Sequence, residues 1–367
     1  SFLSGGIDSA LITSSMMKYS PAPVRTFTIS TGKEYFTDES GEAAETARLL
    51  GTEHNTLEVS PDFIPVAEKL AASYGQPYSD YSSILTYYVS RETRQFVKVA
   101  LTGDGGDELF AGYNGYLRNT LYNSFGSLPF TIKKAAASLS RILTASNPDS
   151  QLYDSISSVF PLPLKGENIA PLFHRRWRDS AFQNDFSRSA ADSRTSEIER
   201  FASYYREASS DNPIDRWLEA DQRLYLCDDI LVKLDIASMA VSLECRSPFL
   251  DHRFAEFANK ISSASKMRNG IPKAILREIA RRRNLAHITG LPKKGFSMPF
   301  GQWLRQEPIK HWIHSLIFEN NGVWNTYLKE EAVEGFWKEH QSGRMNHHMR
   351  IWMIASLVLW QKALKGT

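Results

Sequence analysis

Apolar positions along the first hundred residues switch repeatedly between the spacing of a strand and that of a helix. Residues 24–30 (VRTFTIS) are β-branched and aromatic and predict a strand, as do residues 54–59. Residues 97–101 (VKVAL) form the continuous apolar run expected of a strand buried on both faces. Phe2-Leu3 reads as the end of a further strand, cut open by the start of the sequence, so the chain is expected to be a piece of a longer protein. Between the strands, residues 9–19, 40–50, 61–74 and 82–95 carry helical patterns; Gly51 stops the second and Pro61 opens the third. Strands that alternate with helices imply a parallel sheet, with any ligand at the carboxyl ends of its strands. Beyond Gly115 no strand series is evident. Residues 214–241, 273–284 and 345–364 predict helices, and residues 120–212, rich in Ser, Asn, Pro and Arg, carry a weaker helical pattern. The expected fold class is α/β: a parallel sheet with helices on both faces over residues 1–115, then a mainly helical region over 116–367 whose 116–212 portion is variable.

Composition narrows the function classes. A chain of 367 residues exceeds one ordinary compact core. Its formal charge of +2 gives no reason to expect a nucleic-acid partner, and the Arg281-Arg282-Arg283 run reads as a solvated helix end. No apolar run reaches the roughly 18 residues of a membrane span, and no signal peptide is visible. Two cysteines, Cys227 and Cys245, make neither a disulfide framework nor a zinc pattern. Both fall in apolar stretches that read as helical, so they are expected as buried core thiols in a reduced, cytoplasmic setting.

Two glycine-rich turns carry the candidate chemistry. Ser4-Gly5-Gly6-Ile7-Asp8-Ser9 follows a strand and opens a helix. The glycines allow close backbone approach, the helix start favours an anion, Ser4 and Ser9 add hydroxyls, and Asp8 suits Mg2+ bound together with phosphate. A plain glycine turn capped by Asp8 is the structural alternative. The second turn, Thr102-Gly103-Asp104-Gly105-Gly106-Asp107-Glu108, also joins a strand to a helix. Helix capping accounts for Asp107 but not for Glu108 or the glycine density.

Five ordered motifs together resemble the asparagine synthetase family, within the ATP pyrophosphatases. They are Ser4-Gly5-Gly6-Ile7-Asp8-Ser9; the second turn with its continuation through Phe110-Ala111-Gly112-Tyr113; Tyr74-Gly75-Gln76-Pro77-Tyr78-Ser79-Asp80; Lys233-Leu234-Asp235 with Ser242 to Asp251; and Leu291-Pro292-Lys293-Lys294-Gly295-Phe296. The resemblance implies an adenine nucleotide α-hydrolase-like, Rossmann-like core that binds ATP and Mg2+. It places Leu3, Ser4, Gly5, Gly6, Asp8, Ser9, Ile29, Gly103, Gly105 and Gly106 at the nucleotide, and Asp8 and Asp80 at the metal. Glu108, Lys293 and Tyr74 fall at catalytic positions, with Tyr74 and Glu108 where some relatives carry a tyrosine–glutamate base pair. Arg246 and Asp235 are expected in a structural ion pair.

The implied reaction is adenylation of the aspartate side chain, release of pyrophosphate, and attack by ammonia to give asparagine. The ammonia comes free or from glutamine through an N-terminal glutaminase domain that these residues do not include; the resemblance also permits a homodimer. Two departures, Gly75-Gln76 for the usual Asp-Glu and Cys245 and Ser247 for Ala and Val, keep a second reading open. In it the same chemistry acts on a sugar acid, a peptide side chain or a β-amino acid. A non-catalytic nucleotide-binding module is the third.

Overall fold

The computed structural model describes residues 1–30, 38–59, 62–113, 115–116, 200–291, 298–319 and 324–366. These residues divide into two compact units: Ser1–Tyr74, Asp80–Asn114 and Ala208–Pro299 in the first, Gly75–Ser79, Gly115–Glu207 and Phe300–Thr367 in the second. The described residues of 208–299, which the sequence groups with the helical region, thus pack in the first unit.

The first unit contains α1 (Ile7–Tyr19), β1 (Arg25–Ser30), α2 (Ser40–Leu50), β2 (Glu53–Glu58), α3 (Phe63–Tyr74), α4 (Ser82–Arg94), β3 (Val99–Leu101) and the short α5 (Gly106–Leu109). Helix α1 starts two residues before its expected position because Gly6, in extended conformation, serves as its cap. Helix α2 ends as expected at Gly51, whose φ of 71° is the left-handed stop that glycine adopts without strain.

Strand β1 pairs with β2 in parallel, and β3 pairs in parallel with a fourth strand, β4 (Glu244–Arg246). Residues 1–3 lie between the two pairs. The Phe2 N–H donates to Leu101 O (2.9 Å), the Leu3 N–H to Phe27 O (2.9 Å) and the Phe27 N–H to Ser1 O (3.0 Å). The strands therefore run β2, β1, residues 1–3, β3, β4. The order reverses between residues 1–3 and β3, and in open α/β sheets the crevice at such a reversal holds the ligand. Both glycine-rich turns leave the sheet there.

Strand β4 corrects the expectation of no strand beyond residue 115. Three residues are too few to show a period, and only pairing with β3 makes them a strand. It also corrects the cysteines: Cys245 is a half-buried strand residue in register with Ala100, and Cys227 is exposed. Arg246 pairs with Glu244 on its own strand, at the surface, at 2.7 Å. The long helix expected over 214–241 is three pieces: α6 (Pro213–Arg223), a π-helical stretch Leu226–Ile230, and α7 (Leu231–Met239). Wider turns of this kind interrupt helices where side chains must be re-aimed. Helices α8 (His252–Lys260) and α9 (Ala274–Arg282) follow.

One apolar core ties these pieces together. Leu3, Ile7, Leu11, Ala43 and Ala47 meet Leu109, Phe110 and Phe249, with Ala258, Leu276, Ala280 and Leu285 from the later helices. At about 25 cal/mol per Å2, burial of these side chains is the main force that brings α8 and α9 onto the nucleotide-type sheet.

The second unit holds α10 (Glu330–Gln341) and α11 (His348–Lys365), with Ile351, Trp352, Ile354, Ala355, Val358 and Leu359 of α11 buried. No described helix is long and apolar enough to cross a membrane.

Candidate active site

The two turns touch. A Cβ on Gly103 would lie 2.9 Å from both Asp8 Cβ and the Ser9 backbone nitrogen, and one on Gly106 would lie 2.7 Å from Asp8 Oδ1. Only bare backbone lets the second turn approach the first so closely. Gly105 has a φ of 84°, and a side chain there would also overlap Leu250. The first turn is ordered internally: the Ser4 N–H donates to Ser9 Oγ (3.1 Å) and the Gly6 N–H to Ser4 Oγ (3.1 Å). Of the other residues expected at a nucleotide, Leu3 is buried in the core and Ile29 lies half-buried on β1 in register with Leu57.

Where the turns meet, Lys273 joins their carboxylates. Its Nζ forms ion pairs with Asp8 Oδ2 and, at 2.5 Å, with Asp107 Oδ1. Lys273 is 6% exposed and sits just before α9 in left-handed conformation, φ 54°. A non-glycine residue adopts that geometry at a cost of roughly 1–3 kcal/mol, which marks a position fixed by its surroundings. Arg277 supplies part of that fixing, because its Nε donates to Pro272 O at 2.8 Å and its Nη1 to Thr289 O. No motif in the sequence singles out Lys273. The one local signal is the Pro-Lys pair at the start of an amphipathic helix, and nothing in it points to Asp8, 265 residues away.

Glu108 lies behind this pair, 1% exposed. Burial, and next the neighbouring Asp107, push its carboxyl up to about 7, although the Tyr113 hydroxyl and Lys273 pull the other way. The hydroxyl that Glu108 Oε1 accepts is that of Tyr113. Tyr74, expected against Glu108, instead directs its hydroxyl to Lys233 O at 3.4 Å. The reason is local: Tyr113 follows α5 by one tight turn, closed by the Gly112 N–H on Asp107 O (2.9 Å), which delivers its ring to the carboxyl five residues back. Tyr225 packs edge-on against Tyr113 at 5.8 Å. Burial above all, with Glu108 for Tyr113 and Asp229 for Tyr225, holds both phenols well above their ordinary range. Gln222 Nε2 donates to Glu108 O at 3.2 Å and so anchors α5 to α6.

Asp80 has a different partner from Asp8. It pairs with Lys233 Nζ at 3.3 Å and accepts the Ser82 N–H at 2.9 Å at the start of α4. Burial works to discharge Lys233, but Asp80, Asp104 and Asp229 outweigh it and keep the ammonium above its usual range. Asp229 belongs to the π-helical stretch. Lys293 lies outside the described residues. Among the described residues no three His, Cys, Asp or Glu side chains gather as a metal cage. The donor set does fit magnesium in its usual protein setting, in which one or two carboxylates bind it together with phosphate oxygens: Asp8 and Asp107 already converge on one cation.

Comparison with known proteins gives this geometry a lineage. Asparagine synthetase [glutamine-hydrolyzing] 1 of Bacillus subtilis is 29% identical over 363 residues, covering 98% of this chain and 55% of the relative. Amidase chry2 of Gibberella zeae is 22% identical over 93% of this chain and 55% of its own length. The human asparagine synthetase [glutamine-hydrolyzing] is 29% identical over 146 residues, 36% of this chain and 26% of the relative. The chain thus spans about half the length of the curated relatives that match it end to end. The asparagine synthase family profile matches residues 1–362, so that both glycine-rich turns, the Lys273 pair and Glu108 all fall within the match, and the chain belongs to the asparagine synthase family.

Proposed function

We propose that this chain is the ATP-using synthetase part of an asparagine synthetase-like amidotransferase. The observation that carries this reading is the contact between the two turns at the sheet reversal, with Asp8, Asp107 and Lys273 gathered where a polyphosphate would lie. In the first step a substrate carboxylate oxygen attacks the α-phosphorus of ATP. The bond to the bridging oxygen breaks, and pyrophosphate leaves. In the second, ammonia attacks the activated carbonyl, AMP leaves with the carboxylate oxygen, and a base takes the proton from nitrogen.

The residues divide the work. Backbone N–H groups and the hydroxyls of Ser4 and Ser9 hold the leaving phosphates, and Lys273 offers them a buried positive charge. Magnesium, held by Asp8 with Asp107 beside it, would neutralise the pyrophosphate. Glu108, held by Tyr113, is the proton acceptor, and Lys293 steadies the charged intermediate. Asp80 and Tyr74, tied together by Lys233, line the acceptor side. The acid assigned is aspartate and the amine ammonia, delivered in the full-length protein by a glutaminase domain. One departure favours another acid: Gly75-Gln76 stand where the family pattern has Asp-Glu, so the sequence offers no carboxylate at those two positions.

Pyrophosphate release with ammonium chloride across a panel of acids tests both readings. A response to aspartate supports the first; a silent aspartate well beside a strong response to another acid supports the second. ATP binding without AMP from any acid would leave a non-catalytic module. Glu108→Ala should retain ATP binding and lower amide formation at least about a hundredfold; unchanged amide formation would remove Glu108 from the mechanism.

A further inference from the structure

The Gly5 N–H, at the centre of the phosphate turn, donates to Glu39 Oε2 at 3.2 Å. This carboxylate is placed, not incidental. Asp38, one residue earlier, accepts the Ser30 hydroxyl at 2.7 Å and the Ser40 N–H at 2.8 Å, which ties the start of α2 to the end of β1. The start of α2 also packs directly on the glycine, since a Cβ there would come within 3.0 Å of Glu42 Cβ and 3.4 Å of Glu39 Cβ. The neighbouring N–H groups of Ser4 and Gly6 donate to neutral hydroxyls, which can turn aside when a ligand arrives. Gly5 alone of the three is held by a negative charge. A phosphate oxygen reaching for the same N–H meets a like charge about 4 Å away, and at that distance repulsion in a partly solvated site is worth about a factor of ten in binding or more.

We propose that Glu39 sets the affinity of this site for polyphosphate: its carboxylate is the resident anion on Gly5, and incoming phosphate must displace it. The inference rests on the reading of the turn as a polyphosphate site. Its consequence is weaker retention of pyrophosphate once the product has formed, without loss of the fold that shapes the turn. Glu39→Gln keeps an oxygen to accept the Gly5 N–H and removes the charge.

The test is calorimetric titration of inorganic pyrophosphate with Mg2+, and separately of adenosine, into the wild-type chain, Glu39→Gln and Glu45→Gln. Glu45 lies on the same helix, exposed and paired with Arg48. Glu39→Gln should bind pyrophosphate about tenfold more tightly with adenosine unchanged, and Glu45→Gln should match wild type. Equal or weaker pyrophosphate binding by Glu39→Gln overturns the proposal and makes Glu39 a part that orders the loop. If pyrophosphate binds none of the three chains, the phosphate-turn reading itself fails and this inference with it. Should circular dichroism show Glu39→Gln misfolded, Glu39→Ala takes its place and must shift affinity in the same direction.

Discussion

Lys273 shows how much one residue can join. It reaches Asp8 and Asp107, carboxylates on two different turns, and holds a left-handed backbone to do so. Removing one partner of a buried ion pair strands the others, a loss of about 3–5 kcal/mol in buried settings. Lys273→Met should therefore lower stability by about 3 kcal/mol in chelator, and millimolar Mg2+ should restore part of that by taking the place of the ammonium. Denaturant unfolding with and without Mg2+ measures both effects; a variant as stable as wild type, or blind to the metal, would contradict the shared-cation arrangement. Asp8 and Glu108 are legible in the sequence as candidate site residues because each stands in a glycine-dense turn after a strand. Lys273 and Tyr225 are not, because their neighbours in sequence are ordinary helical residues; Lys233 stands in a quoted motif, but nothing local names Asp80, 153 residues away, as its partner.

At the scale of elements, the site depends on two loops that touch through glycine. Gly103→Ala would insert a methyl 2.9 Å from Asp8 Cβ and the Ser9 nitrogen, both on the first turn of α1 and unable to yield without moving the helix. The expected result is at least about tenfold weaker ATP binding with helical circular dichroism intact. Full affinity would mean that the turns need not touch to bind.

The α10–α11 junction in the second unit makes a different prediction. His340 has its Nε2 at Gly301 O (3.0 Å) while its Nδ1 accepts the His347 N–H (3.1 Å), so a second ring proton would face a donor. Burial, and next Arg305, hold the imidazole down to about 4. The folded value lies below the unfolded one near 6.5, so the neutral ring's contribution is full above about pH 6.5. It is lost as pH falls toward 4, by up to about 3 kcal/mol. Unfolding midpoints between pH 7 and 4.5 should show the loss, and His340→Gln should flatten it.

For the molecule as a whole, the proposed function predicts that residues 1–367 form amide from ammonium but not from glutamine. Partial desolvation and Asp228 raise the thiol of the exposed Cys227, and Cys245 is raised to about 11, chiefly by burial, so neither is an activated nucleophile. Amide formation from glutamine by residues 1–367 alone would contradict this. The sequence by itself determined the alternation of strands and helices, the parallel sheet, the two glycine-rich turns and the family, because each of these is written in contiguous residues whose spacing reflects local backbone geometry. Only packing in three dimensions settles that residues 1–3 sit at the reversal of the sheet, that Glu244–Arg246 pair beside β3, that Tyr113 rather than Tyr74 holds Glu108, and that Lys273 and Glu39 close on the first glycine-rich turn. Those facts depend on which apolar faces pack together across hundreds of residues, and local periodicity carries no record of a partner that distant.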